Sequence, residues 1–208
     1  MLKELGYQKS PKLKREQLLN QISFHNEFFY VHNLENITKI DLPEPSFEIK
    51  TLDPSELIQL RKIWPVNLKH LEKRFKAGNS ECFISTVNGT PVAYHWVQFS
   101  GTHFIQQANC HYKLNDHHEF IIYHVRVSEK FQLKGISTFA YNHILNTYKE
   151  AGYKIAFIYT SSKNIANQKS LAKLGFTKIQ TLSSIKIKSK YYPFRRICNK
   201  INQWLTLQ

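Results

Sequence analysis

The segment Gln132-Leu133-Lys134-Gly135-Ile136-Ser137 has the residue types of an anion-binding turn placed before a helix. A glycine lets the backbone approach a ligand closely, and the first turn of a helix offers unpaired N–H groups at the positive end of its dipole. We expect these N–H groups to suit a pyrophosphate and Ser137 to cap the helix. A single glycine before a helix is common, so the segment alone does not identify a ligand.

Glu119 and Tyr123 are the candidates for proton transfer, and both precede that turn. They belong to residues 119–127, whose apolar alternation predicts a strand. Strand periodicity places Glu119, Ile121, Tyr123 and Val125 on one face, and His124 and Arg126 on the other. A carboxylate can accept a proton from a nucleophile, and a phenol can relay or donate one. The competing interpretations are an exposed charge at a strand start for Glu119 and ordinary packing for Tyr123.

Histidines are secondary candidates for the same chemistry. They comprise His95 and the cluster His111, His117 and His118, and Tyr94 beside His95 is a further secondary candidate. The run Asp116-His117-His118-Glu119 contains metal-ligand residue types, but adjacent side chains on a strand point to opposite faces. We therefore predict no metal site.

The elements that must position these residues follow a regular order. Asn88-Gly89 between two apolar runs predicts a hairpin. Asp53-Pro54 predicts the start of a helix, and Gly175 the end of a later one. The order β-α-α-β-β-β-α-β-α-β-β predicts an α/β (α+β) fold, with a mixed, mostly antiparallel sheet and helices on both faces. We predict three parts: an N-terminal extension and linker (1–46), one domain (47–190) and a basic tail (191–208).

Two segments resemble the GNAT N-acyltransferase superfamily. Residues Gln132 to Ser137 are similar to its Q/R-x-x-G-x-G/A acyl-CoA loop. The stretch from Asn164 to Leu174-Gly175-Phe176 is similar, without a gap, to its N-x-x-A-x-x-L-Y-E-K-L-G-F segment. The resemblance covers residues 47–190 and implies the GNAT fold, with strand 119–127 splayed from the next strand to form an acyl-CoA cleft.

The resemblance also implies roles for individual residues. The backbone of Val125 and Val127 is expected to pair with the pantetheine arm, and Asn164 to bind the pantetheine or thioester region. Asn164 also suits a helix N-cap. The pyrophosphate is expected on the backbone of Gln132, Leu133, Lys134, Gly135, Ile136 and Ser137. The CoA phosphates are expected near Lys134, Lys163 and Lys169.

Leu171 is the main departure from the family pattern, because many members carry there a Tyr that protonates the leaving thiolate. Ser137 replaces a Gly or Ala, and Ser170 an apolar residue. The family often places its base at the positions of Ile121 or Tyr123. Isoleucine cannot act as a base, which leaves Tyr123 and Glu119 as the predicted catalytic residues.

Three functions remain open at this point. The first is transfer of an acetyl group from acetyl-CoA, or of another acyl group from its CoA ester, to a primary amine of a small molecule, such as an amino sugar or amino acid derivative. The second is acetylation of a protein or aminoacyl-tRNA amine, which the basic C-terminal third favours. The third is acyl-CoA binding without catalysis, which Leu171 favours.

Charge and apolar runs limit the partners. The chain has 208 residues and a formal net charge of +14, and eleven Lys and Arg residues follow Glu150, the last acidic residue. Such a region attracts polyanions, although it is equally typical of a basic solvated surface. The apolar runs fall far short of the roughly 20 residues of a transmembrane helix, and the N-terminus shows no apolar signal segment. We predict a cytoplasmic protein and leave nucleic-acid binding and a homodimer open.

Overall fold

The computed structural model describes residues 22–37, 40 and 47–194. In this part of the chain the strands are β1 (Ile22–Asn33), β2 (Phe47–Thr51), β3 (Ser80–Val87), β4 (Thr90–Gln98), β5 (Thr102–Ile105), β6 (Cys110–Lys113), β7 (Glu119–Val127), β8 (Ile155–Ser161), β9 (Thr177–Ile187) and β10 (Lys190–Pro193). The α-helices are α1 (Leu68–Lys76), α2 (Ile136–Glu150) and α3 (Ile165–Lys173). Short 3-10 helices span Leu34–Asn36, Pro54–Lys62, Gln106–Ala108 and Glu129–Phe131.

Eight of the described strands form one sheet in the order β10-β9-β1-β8-β7-β4-β3-β2. Within it β7 and β8 run parallel, and the other neighbours run antiparallel. Helices α2 and α3 pack on one face, which we call the helix face. The 3-10 helix Pro54–Lys62, α1 and the β5–β6 hairpin pack on the other, the hairpin face. The predicted α/β (α+β) class, with helices on both faces of a mostly antiparallel sheet, is confirmed.

Local sequence signals position most of these elements. Asn88 and Gly89 turn the β3–β4 hairpin with φ of +49° and +71°, as a tight hairpin turn requires. Asp53 caps the helix that follows it by accepting the Ser55 N–H at 2.8 Å, but that helix is a 3-10 helix. The two strands that close the predicted order correspond to a long strand, β9, and a short one, β10.

The N-terminal segment corrects the predicted domain boundary. Strand β1 lies inside the sheet, paired with β8 on one side and β9 on the other. Its Phe29 is fully buried and packs against Tyr112 and Phe157. Residues 22–33 therefore belong to the domain that was predicted to begin at residue 47.

Residues 191–193, which were predicted to begin a basic tail (191–208), belong to β10 and pair with β9, so the sheet extends beyond residue 190. The rest of that tail from residue 195, and residues 41–46 of the predicted linker, lie outside the described residues.

A β-bulge interrupts the pairing of β7 with β4. Tyr123 pairs with Trp96 and Arg126 pairs with Tyr94, so two residues of β7 oppose a single residue of β4. At the bulge His124 has a φ of +47°, which is uncommon for a non-glycine residue. A bulge of this kind redirects the side chains that follow it.

The bulge corrects the predicted faces of β7. His124 and Arg126 share the hairpin face with Tyr123, where they contact Arg74 and Trp64 respectively. Val125 packs on the helix face instead. Regular alternation would have placed each of these three side chains on the opposite face of the sheet. The extra residue in β7 shifts the alternation by one position.

Candidate functional site

A cavity of about 1000 Å³ lies where β7 and β8 separate. Among the described residues, the two strands pair only from Glu119–Ile155 to Ile122–Ile158. Beyond that point residues of both strands line the cavity, which reaches groups on both faces of the sheet. The splayed opening expected from the resemblance is therefore present.

The turn before α2 borders the cavity with the predicted anion-binding residues. Gly135 is the N-cap of α2 with a φ of +79°, and no side chain caps the helix. The unpaired N–H groups of the first turn therefore face a ligand without competition. Ser137 is not the predicted cap. Those of the predicted pyrophosphate residues that line the cavity are Gln132, Leu133, Gly135, Ile136 and Ser137.

Only one of the three lysines predicted to contact the CoA phosphates is among the described residues that line the cavity. Lys169 of α3 lines it. The ammonium of Lys134 lies 5.2 Å from the centre of the Phe131 ring. Neither Lys134 nor Lys163 is among the described residues that line the cavity. Lys169 is therefore the predicted phosphate contact that the structure places at the site.

The strand residues predicted to bind pantetheine also border the cavity. The carbonyl oxygen of Val125 accepts a hydrogen bond from Arg126 Nη1 at 2.7 Å. That of Val127 accepts one from Gln132 Nε2 at 3.3 Å. Each carbonyl oxygen has a second lone pair, so a pantetheine arm can pair with it beside the side-chain donor already present.

Asn164 reaches the cavity as the N-cap of α3, and its Oδ1 accepts the Asn167 N–H at 3.1 Å. Leu171, in the last turn of α3, is fully buried in the core. A different phenol lies nearby, because Tyr141 of α2 lines the cavity and donates to Asn167 Oδ1 at 2.8 Å. The helix face thus offers a tyrosine hydroxyl from α2, whereas the family pattern has one on α3.

Glu27 is a cavity residue that sequence reasoning missed. It lies on β1 opposite Ser161 of β8, and only 5% of the residue is exposed. Burial raises the pKa of its carboxyl from 4.5 to about 7. Among the described residues no Lys or Arg forms an ion pair with it. The sequence did contain a sign of a buried acid, because Glu27 is the one acidic residue in the aromatic-rich run Phe24 to Tyr30. It was overlooked because this run was assigned to an N-terminal extension outside the domain.

Tyr159 and His103 extend this polar region on the hairpin face. His103 Nδ1 lies 2.8 Å from Gln98 Oε1, which can only accept, so Nδ1 carries the proton. His103 Nε2 then accepts from the Tyr159 hydroxyl at 3.3 Å. Burial, and secondarily Arg74, lower the His103 pKa to about 4, so this ring is neutral at pH 7. Burial and then Glu27 raise the pKa of Tyr159.

The two predicted catalytic residues are placed differently. The Glu119 carboxylate accepts the Tyr112 hydroxyl at 3.0 Å and the Asn115 N–H at 2.9 Å. Among the described residues it does not line the cavity. The Tyr123 ring does line it, but its hydroxyl donates to Ser80 on β3 at 3.4 Å, away from the gap. Neither group is directed at the opening between β7 and β8.

The remaining histidine candidates lie away from the site. His95 is fully buried, and burial lowers its pKa to about 3. The ring of His111 does not line the cavity but packs at 4.8 Å against Phe104, which does. No group of three potential metal ligands occurs in the described ranges.

Residues 38–176 match the model of the Acetyltransferase (GNAT) family. A GCN5-related N-acetyltransferase from Kribbella flavida is similar in structure, with a TM-score of 0.55, 10% identity and coverage of 91% of this chain and 66% of that one. A glucosamine N-acetyltransferase region of a fungal multi-domain β-N-acetylglucosaminidase has a TM-score of 0.58 at 10% identity. The match covers 85% of this chain and 23% of the fungal one. A protein from Drosophila melanogaster has a TM-score of 0.56 at 15% identity. The match covers 86% of this chain and 57% of the Drosophila one.

At these identities the structural likeness shows the fold. The chain spans 57% of the length of the Drosophila protein and 66% of the Kribbella enzyme. No curated protein sequence is significantly similar to the chain. Among the described residues, no helix is both long and apolar enough to span a membrane.

Proposed function

Because this chain belongs to the Acetyltransferase (GNAT) family, we propose that it transfers an acetyl group from acetyl-CoA to the primary amine of a small molecule, such as an amino sugar or an amino acid derivative. The observation that carries the proposal is the cavity through the β7–β8 gap, with an anion-binding turn on one side and a buried carboxylate on the other. Acetyl-CoA supplies an acyl group already activated as a thioester.

Glu27 is the general base of this proposal and replaces Glu119. An amine attacks only when its nitrogen is neutral, so a nearby group must accept a proton. A carboxylate with a pKa of about 7 is half ionised near neutral pH and can accept that proton. Tyr159 is its diagonal neighbour on the same face and donates a hydrogen bond to His103. The C–N bond forms as the C–S bond breaks.

Tyr141 is the proposed proton donor to the leaving sulfur, in place of the tyrosine missing at Leu171. Its phenol lies at the wall of the cavity and donates to Asn167 Oδ1, so protonation of the sulfur requires the hydroxyl to exchange this partner for the thiolate. The ammonium form of the amine gives its first proton to Glu27, which passes it to solvent, and the second proton, released from the nitrogen after attack, restores the phenol. Tyr123 then has a positioning role, since its ring lies 5.3 Å from the Arg74 guanidinium.

The proposal is tested by two measurements on the full chain. Acetyl-CoA binding is followed by calorimetry, and thiol release is followed with a broad panel of amines. We expect saturable binding and turnover of at least one small amine. Binding without turnover of any amine would favour a non-catalytic module, and turnover confined to proteins or charged tRNA would favour the macromolecular acceptor. An absence of acetyl-CoA binding contradicts the proposal.

The Gly135→Ala variant tests the anion-binding turn. A φ of +79° is unfavourable for alanine, and its Cβ would lie 3.2 Å from the Phe139 ring. We expect the Kd for acetyl-CoA to rise by about 10-fold, or roughly 1.4 kcal/mol. Gly152→Ala is the matched control, because Gly152 has a similar φ of +89°, open space around it and no place in the cavity lining. Equal affinities of the two variants would contradict the assignment.

The Tyr141→Phe variant tests the proton donor. Turnover is expected to fall by about 10- to 100-fold, because proton transfer by a placed side chain contributes on this scale. The Kd for acetyl-CoA should stay nearly unchanged. Tyr148→Phe is the control, since Tyr148 is on the same helix and donates to Glu81 at 2.6 Å away from the cavity. If both variants turn over like the wild type, the donor lies elsewhere.

A further inference from the structure

Arg74 of α1 brings a positive charge to the hairpin side of the cavity. Its guanidinium carbon lies 5.2 Å from the centre of the Trp96 ring and 5.3 Å from that of Tyr123. Its Nη1 lies 2.5 Å from His124 Nδ1. Stacking and this hydrogen bond hold the planar group in one orientation, which leaves its other N–H groups for a ligand.

The charge of Arg74 is not neutralised by these contacts. Burial, and secondarily Arg74 and Arg126, lower the His124 pKa to about 4, so at pH 7 the ring is neutral and accepts a hydrogen bond from Arg74. No carboxylate forms an ion pair with Arg74 or Arg126 among the described residues. A half-buried guanidinium without a counter-ion favours an anionic ligand.

Arg126 adds a second cation on the same side. It follows the β7 bulge, stacks at 5.5 Å on Trp64 and lines the cavity. Without the bulge at His124, strand alternation would direct Arg126 to the helix face. The bulge therefore gathers both arginines on the side of the sheet that carries Glu27.

The cavity combines one acidic residue with two arginines on the same face of the sheet. Glu27 is the acidic residue among the described groups that line it, and the arginines stand on the same hairpin face. A proton acceptor and an unpaired guanidinium in one cavity match a ligand that carries both an amine and an anionic group. We propose that the acceptor is an amino acid, whose carboxylate binds Arg74 with support from Arg126 and whose amine faces Glu27. This inference rests on the proposed acetyl transfer and narrows its acceptor to a carboxylate-bearing amine.

The decisive comparison uses the wild-type chain and matched pairs of acceptors. Thiol release with saturating acetyl-CoA is measured for the standard amino acids, for their carboxamides and for glucosamine. We expect at least one amino acid to be used with a kcat/KM about 10-fold or more above that of its amide, because a charged hydrogen bond contributes on this scale. Glucosamine or the amides turning over as well as the amino acids would overturn the inference while leaving acetyl transfer intact. No thiol release with any amine would instead contradict the proposed function.

A variant then assigns the selectivity to one residue. Arg74→Gln should raise KM for the preferred amino acid by at least about 10-fold and abolish its advantage over the amide. The Kd for acetyl-CoA should stay within about twofold, which separates an acceptor contact from a contact with CoA phosphates. Arg61→Gln is the matched control, because Arg61 is exposed on the neighbouring 3-10 helix and does not line the cavity. A loss of acetyl-CoA affinity in Arg74→Gln with unchanged amino acid selectivity would overturn the assignment.

Discussion

The Glu27→Gln variant is expected to lose about 10²- to 10⁴-fold in kcat/KM for the amine while still binding acetyl-CoA. Glutamine has nearly the same shape but cannot accept the proton. In the wild type, kcat/KM should rise with pH up to about 7, because the fraction of ionised Glu27 increases through its pKa of about 7. The variant should lack this acidic limb. The measurement is a pH profile of thiol release for both proteins.

Stability provides an independent readout for the same variant. The folded-state pKa of Glu27, about 7, lies above the value of 4.5 expected in the unfolded chain. The group therefore contributes most to stability below pH 4.5, and this contribution is lost as the pH rises through about 7. At pH 8 we expect Glu27→Gln to be at least as stable as the wild type in urea unfolding. If Glu27→Gln turns over more slowly than the wild type but is equally stable, the lower rate reflects the loss of the proton acceptor and not unfolding.

Glu119→Gln is the matched control for this experiment. Glu119 Oε2 accepts from both Tyr112 and Asn115, and a glutamine oxygen in its place can still accept both hydrogen bonds. We expect a modest loss of stability and little change in turnover per folded molecule. If Glu119→Gln loses turnover and Glu27→Gln does not, the strand-based prediction is right and the assignment of Glu27 is wrong.

Phe29→Ala is expected to lower the free energy of unfolding by about 3–5 kcal/mol. Phe29 is fully buried on β1, at 5.5 Å from the Phe157 ring and 5.7 Å from the Tyr112 ring. Removing its ring leaves a cavity that the surrounding strands can fill only in part. Urea unfolding, followed by tryptophan fluorescence, measures the change.

The control for Phe29→Ala lies on the same strand. Phe24 is 66% exposed, and Phe24→Ala should change the free energy of unfolding by no more than about 0.5–1 kcal/mol. Similar effects of the two substitutions would mean that β1 does not contribute its buried face to the core. In that case residues 22–33 would behave as the extension that the sequence suggested.

The helix side of the site could be predicted from the sequence. The turn before α2 and the segment from Asn164 to Phe176 are contiguous, and their spacing follows from local rules for glycines, caps and helix ends. The β3–β4 hairpin follows in the same way from Asn88-Gly89. The sequence also showed that Leu171 occupies the position where many family members carry the tyrosine acid. In the structure its side chain is buried.

The hairpin side depends on pairings between distant segments. Glu27 reaches the cavity because β1 pairs with residues around Ser161 and Leu182, more than a hundred positions away. No local pattern encodes such a pairing, since its stabilisation comes from burial between strands that meet only in the folded chain.

A single irregularity decided the orientation of the remaining groups. The bulge at His124 inserts one residue into β7, and this turns Arg126 toward Arg74. Regular alternation, the rule available from the sequence, predicts the opposite face. The sequence by itself therefore determined the family and the fold class and predicted the anion-binding turn, because the motifs behind them are contiguous residues. Only the tertiary structure decided which carboxylate, phenol and guanidinium meet at the gap, because strand insertion and a shift of one residue in register are long-range properties.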